Sequence, residues 1–330
     1  MRRPRRRRRG FTNQAMAVIL LPLVAVVIFI VLFSRNGGNG PEPQPRPANY
    51  QANTPAANNP GSQTLPDNNY PDSNYPAQNN TANDNGTIPI QLTNVPVRYL
   101  EDTGYLALVN RQHPVQTMPY QGLINSVWPT VAVSRIDGMY LHSSALRAVS
   151  EMFATARQHD IASFFVSSGF RSYDAQAYLY GDGSNSAFVQ PPGHSEHHTG
   201  LAADILAPGV GMAEMGNTPE GKWLAANSYR YGLILRYPEG ATAITGIAFE
   251  PWHFRYVGRV HAYFMKRNNL VLEEYIALIH NYGHISFEKG GQTFYVMHKV
   301  PESGMIYVPY GLDFVVSGDN KGGFIVKAWA

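Results

Sequence analysis

Two short stretches hold the residues whose types and spacing could do chemistry: Ser195-Glu196-His197-His198-Thr199-Gly200-Leu201-Ala202-Ala203-Asp204, and Glu250-Pro251-Trp252-His253. Cysteine is absent from all 330 residues, which excludes a disulfide framework and any thiolate metal site. A metal here must be held by His, Asp or Glu. A catalytic zinc needs three such ligands, one position left open for water, and a nearby carboxylate able to take that water's proton. His197, Asp204 and His253 could supply the ligands and Glu250 the base. His194 and His198 sit beside His197, and spacing alone does not reject them. Glu196 and Glu239 are further carboxylates, with no spacing that favours either.

The elements around these stretches must solve a geometric problem. Residues three apart on a regular strand point to opposite faces, so Glu250 and His253 reach one centre only if a bulge or turn intervenes. Pro251 fits such a break, because proline is kept out of regular central ladders. Gly200 likewise marks a sharp turn between His197 and the apolar run that carries Asp204.

Upstream, the spacing of Leu146, Val149, Phe153 and Ala156 predicts a helix over Ser143 to Gln158, with Ser143 or Ser144 as N-cap. Ile161 to Val166 reads as a strand running into Ser168-Gly169-Phe170-Arg171-Ser172, and Asp174 to Tyr180 as a short helix. Thr218 and Pro219 have N-cap and first-turn chemistry for a helix that Gly232 closes. Strands are expected at Leu233 to Arg236 and Ala248 to Tyr256, then helices at Gly258 to Arg267 and Leu272 to His280. Short strands mixed with helices imply an α+β domain over residues 89–282, with a small mixed or antiparallel sheet and flanking helices. Beyond Tyr282, alternating runs at Thr293 to Met297, Ile306 to Val308 and Phe324 to Val326 predict a small C-terminal β extension, residues 283–330, packed on the main domain.

The net charge of +3 is misleading: removing the seven arginines Arg2, Arg3 and Arg5 to Arg9 leaves −4 for the rest of the chain. The body is therefore mildly acidic, and no nucleic-acid partner is expected. An apolar, uncharged run from Ala15 to Phe33 follows the arginines, close to the ~20 residues that cross a bilayer. No small-x-small cleavage site follows it, so an uncleaved transmembrane signal anchor over 15–33 is expected. The arginines then place residues 1–14 in the cytoplasm and the remainder outside, as a single-pass protein of the cell membrane. Residues 34–88, rich in Asn, Pro and Gln, read as a disordered spacer.

Three separated motifs, Ser-Gly-Phe-Arg-Ser at Ser168 to Ser172, Ser-x-His-x-x-Gly-x-Ala-x-Asp at Ser195 to Asp204, and Glu-x-Trp-His at Glu250 to His253, stand in order along the chain. Together they resemble the VanY-type D-alanyl-D-alanine carboxypeptidases, zinc peptidases of the Hedgehog/DD-peptidase fold. The resemblance covers roughly residues 100–270. It implies zinc ligation by His197, Asp204 and His253, general base and then acid duty for Glu250, and stabilisation of substrate carbonyl or oxyanion charge by Arg171, whose guanidinium could instead bind the substrate's terminal carboxylate. Ser195 would line the substrate pocket. The implied substrate is a peptidoglycan stem peptide losing its C-terminal D-alanine. Alternatives are an L,D-carboxypeptidase acting on tetrapeptide stems and a non-catalytic cell-wall-binding protein.

Overall fold

The computed structural model describes residues 91–100, 102–116, 123–125, 139–161 and 164–329. The expected basic segment, membrane span and spacer lie outside the described residues. Among the described residues no helix is long and apolar enough to cross a membrane.

Twelve strands and six α-helices are described. The strands are β1 (Leu92–Pro96), β2 (Leu123–Asn125), β3 (Tyr140–His142), β4 (Phe165–Ser168), β5 (Ala202–Leu206), β6 (Leu233–Leu235), β7 (His253–Tyr256), β8 (His284–Lys289), β9 (Gln292–Lys299), β10 (Met305–Pro309), β11 (Asp313–Gly318) and β12 (Phe324–Trp329). The helices are α1 (Ser143–Gln158), α2 (Tyr173–Tyr180), α3 (Pro219–Asn227), α4 (Thr242–Thr245), α5 (Arg259–Arg267) and α6 (Leu272–Tyr282). The α+β expectation is met, and the central sheet, in the order β4-β5-β7-β6, is antiparallel throughout.

Helix α1 keeps its expected limits, but its N-cap is His142 rather than a serine: the His142 ring accepts a hydrogen bond from the Ser144 amide. Val149, Met152, Phe153 and Ala156 on its inner face pack with Val166, Ala203, Ile205 and Phe254 of the central sheet. Successive strand residues alternate between faces. Because Ala203 and Ile205 enter this core, Asp204 faces the other way; because Phe254 enters it, so do His253 and Arg255. The strand expected over Ala248 to Tyr256 is shorter, since a turn at Pro251 and Trp252 delays β7 until His253. Likewise β4 begins at Phe165 rather than Ile161.

The C-terminal strands form an antiparallel sheet in the order β11-β12-β9-β8. Its core is shared with the helices: Phe287, Phe294, Val296 and Ile325 pack with Phe264, Tyr275, Ile276 and Ile279 of α5 and α6. Strand β10 pairs with β1, which precedes the peptidase core in sequence. The β extension is thus woven into the chain from both sides, by an early strand and by a common hydrophobic core.

Candidate metal centre and active site

Strand pairing assembles most of the site. Asp204 of β5 lies directly opposite His253 of β7 and, on its other side, opposite Ser168 of β4. Directly opposed residues share a face and approach closely, so these three form a row across the sheet. Ser168 joins that row because of a register shift between Val166 and Ser168. Without the extra residue, Ser168 would share the core-facing parity of Val166.

His197 comes from the turn before β5. Residues Glu196–Thr199 form a 3-10 helix whose N-cap is Ser195, with the serine hydroxyl accepting from the His197 amide at 3.4 Å. Gly200 ends the helix at φ 68°, a left-handed conformation that a side chain disfavours, and from there the chain enters β5. The His197 Nδ1–H donates to the Gly169 carbonyl at 2.7 Å, which leaves Nε2 free and aimed at Asp204 Oδ2, 3.4 Å away. Such a backbone hydrogen bond fixes tautomer and ring orientation in metal-ligating histidines.

His253 Nδ1 stands 3.2 Å from Asp204 Oδ1 and 3.5 Å from Glu250 Oε2. Its ring meets that of His197 edge-on, with centroids 4.9 Å apart. Glu250 reaches the same point because the His253 amide bonds back to the Glu250 carbonyl, closing the turn that ideal strand geometry required. The ligand atoms of His197, Asp204 and His253 all lie within 4.8 Å of one another, and all three residues are buried. Asp204 Oδ1 is buried without a hydrogen-bond partner, 3.2 Å from His253 Nδ1. A buried carboxylate oxygen is costly without a partner, and a divalent cation among these three donors would supply one. The donor set, two nitrogens and one oxygen, fits zinc.

The neighbouring histidines are held by backbone groups, His198 at both ring nitrogens and His194 at Nδ1. His198 donates from Nδ1 to the Arg171 carbonyl at 2.7 Å and accepts the Gly193 amide at Nε2, while His194 Nδ1 is bonded to the Asn110 carbonyl. Arg171 is fixed by donating to Gln176 Oε1 and Ser168 Oγ, both at 2.8 Å, with Nη2 3.7 Å from Asp204 Oδ2. Ser195 is buried, and its hydroxyl serves the cap. Glu239 is not among the residues gathered here.

Glu196 belongs to the site in a way that spacing did not reveal. Its Oε1 accepts from Arg236 Nε and Arg255 Nη1, both at 2.8 Å, and its Oε2 faces His253 Nε2 at 3.7 Å. Arg255 also donates to the carbonyls of Tyr105 and Ala107, and Arg236 to Glu273. A signal existed in the sequence: Arg255 lies two residues after His253, on the same strand face, and such a buried guanidinium demands a carboxylate.

Electrostatics separate the carboxylates. Burial raises the Glu250 carboxyl to about 8, the His253 charge only partly opposing it. A bound divalent cation would pull it back down. Glu196 suffers the same desolvation, but Arg236 and Arg255 outweigh it and hold the carboxyl well below its usual range. Asp204 is also held well below, because His197 and His253 overcome its desolvation. Burial, with Arg171 nearby, lowers His197 to about 4; for His253, desolvation is outweighed by the adjacent Asp204 and Glu196 carboxylates, which raise it to about 9.

Residues 138–259, which contain all three motifs, match the family model described as VanY, D-alanyl-D-alanine carboxypeptidase. A D-alanyl-D-alanine carboxypeptidase of Enterococcus faecium is 34% identical over 258 residues, 71% of this chain and 84% of that protein. The chain belongs to the VanY family of D-alanyl-D-alanine carboxypeptidases. The bifunctional D-Ala-D-Ala dipeptidase and D-Ala-D-Ala carboxypeptidase VanXYC of Enterococcus gallinarum is 32% identical over 188 residues, 52% of this chain and 92% of its own. Among solved structures, the vancomycin-resistance D,D-dipeptidase VanXYg, in complex with a D-Ala-D-Ala phosphinate analogue, aligns with a TM-score of 0.62 at 26% identity. That alignment covers 73% of this chain and 99% of the other.

Proposed function

We propose that this chain is a zinc-dependent D,D-carboxypeptidase that removes the C-terminal D-alanine from peptidoglycan stem peptides. The observation that carries the reading is the convergence of His197, Asp204 and His253 on one buried point, with Glu250 beside it. Those three side chains would hold the ion. Zinc bound there would lower the pKa of a coordinated water towards 7 and polarise the scissile carbonyl.

Glu250 moves the protons. Its carboxylate takes one from the attacking water and delivers it to the departing D-alanine amine, a task suited to a carboxylate held 3.5 Å from the His253 ligand nitrogen. Arg171, anchored by Gln176 and Ser168, presents a fixed positive charge to the substrate, either to the developing oxyanion or to the terminal carboxylate. Ser195, buried at the turn it caps beside His197, would line the substrate pocket. Glu196 orients His253 from behind and keeps two buried guanidinium groups neutralised.

The peptidase would act outside the cytoplasm, tethered by the apolar run at 15–33 and carried away from the bilayer by the spacer at 34–88, which is where stem peptides are found. The test uses the full chain, zinc-loaded, with defined pentapeptide and tetrapeptide stems and mass detection of products. Release of one D-alanine from the pentapeptide is expected. Trimming of the tetrapeptide alone would replace the D,D reading with an L,D one, and inertness with zinc bound would leave a wall-binding protein.

A further inference from the structure

Away from the peptidase site, the described residues bring a second set of metal-ligating side chains together. His280 lies on α6, His298 on β9 and Asp319 in the turn between β11 and β12, and their ligand atoms also fall within 4.8 Å of one another. Asp319 has no exposed surface. Its Oδ1 accepts the amides of Lys321 at 2.7 Å and Gly323 at 2.9 Å, which fixes the carboxylate plane. Its Oδ2 faces His280 Nε2 at 2.9 Å and His298 Nε2 at 3.3 Å. The two imidazoles stack, with centroids 3.8 Å apart and planes 21° from parallel, so both Nε2 atoms present themselves to the same oxygen.

A plain hydrogen-bonded cluster would satisfy these atoms, and this one does not: His280 Nε2 and Asp319 Oδ2 are buried with no hydrogen-bond partner. Ligand bonds of 2.0–2.1 Å in tetrahedral geometry hold donor atoms about 3.3 Å apart, which is the scale seen here. Space is also kept. A Cβ on Gly323 would run into His298 Nε2 and come within 2.9 Å of Asp319 Oδ2, so the residue that lacks one is what keeps the centre open.

We propose that His280, His298 and Asp319 bind a second divalent transition-metal ion, zinc by its preference for nitrogen and oxygen donors, and that this ion staples helix α6 to the C-terminal sheet. The histidine side chains are 20% and 18% exposed, so water completes the coordination. The role is structural. The charged groups acting on His280 are His298, Asp319 and Lys321, and a lysine cation cannot take a proton from water as Glu250 can.

The experiment strips the full chain with chelator, reloads it with zinc, removes free metal and measures zinc per chain. Two equivalents are expected in the wild type, and one each in Asp319→Asn, His298→Ala and His197→Ala. In His197→Ala the remaining zinc should raise the melting temperature, and Asp319→Asn should keep wild-type hydrolysis. Gly323→Ala retains all three ligands and should also bind one. One equivalent in the wild type with none in His197→Ala overturns the second site while leaving the peptidase site standing. Two equivalents in Asp319→Asn and His298→Ala overturn it as well. A wild type with one equivalent that survives in His197→Ala but vanishes in Asp319→Asn would instead sink the peptidase ligand set and uphold this one.

Discussion

The two His-His-Asp clusters of this chain use the same three ligand types, yet their surroundings assign them different work. In the peptidase site Asp204 and His253 sit on the sheet face turned away from α1 and His197 joins them from the preceding turn, with Glu250 Oε2 3.5 Å from His253 and Arg171 Nη2 3.7 Å from Asp204. In the C-terminal cluster the carboxylate is bonded to the amides of its own turn, and the neighbouring charge is a lysine. A ligand set decides whether an ion can be held. The carboxylate and the guanidinium beside it decide whether holding it leads to proton transfer.

The largest effect that would test this contrast comes from removing one histidine in each cluster. His253→Ala should abolish D-alanine release, while His280→Ala should leave kcat within about twofold. Comparable losses in a stem-peptide assay would mean that the second cluster also reaches the chemistry.

Glu250→Gln keeps the shape and all three ligands, so zinc content should hold while kcat falls by about 10²- to 10⁴-fold, the usual contribution of general acid–base catalysis. Retention of both zinc and full turnover would remove Glu250 from the mechanism.

Glu196→Gln tests whether the buried carboxylate behind His253 supports the metal. Zinc affinity at the peptidase site should drop by about 10- to 100-fold, the scale for partners that orient a ligand. Stability should fall by about 3 kcal/mol, because Arg255 and Arg236 lose a buried counter-charge. Metal affinity unchanged in competition with a chromophoric chelator, alongside a lower melting temperature, would make Glu196 purely structural.

The smallest effect concerns the core that joins the C-terminal sheet to the helices. His261 is buried, bonded to the Tyr275 hydroxyl at 2.8 Å, and burial lowers its pKa well below 6.5. Below pH 6.5 the unfolded chain takes up a proton that the folded chain refuses, so stability is lost as pH falls. The slope from this one group approaches about 1.4 kcal/mol per pH unit. Denaturant titrations at pH 7.0 and 5.5 should show that loss in the wild type and a shallower one in His261→Gln.

Much of the fold and site was legible because local physics dominates there. Helix α1 follows from apolar spacing and α3 from Thr218 and Pro219, which cap and start it. The turn at Pro251 follows from what an ideal strand forbids. The shortened β4 and the His142 cap were not legible, since strand limits and caps depend on which neighbour completes the hydrogen bonds. Nor did the sequence assign Glu196, whose partners Arg236 and Arg255 are distant along the chain.

By itself the sequence determined that any metal must be held by His, Asp or Glu, which motifs could hold it, and that Glu250 and His253 need a break between them. Only the tertiary structure showed how the His197 that the family resemblance implied comes to face Asp204, with both ring nitrogens of His198 and Nδ1 of His194 bonded to backbone groups instead. It also put Ser168, Asp204 and His253 in one row, and gathered His280, His298 and Asp319 from elements with no shared motif. The reason is that residue identity limits which bonds can form, whereas strand register and core packing decide which atoms come close enough to form them.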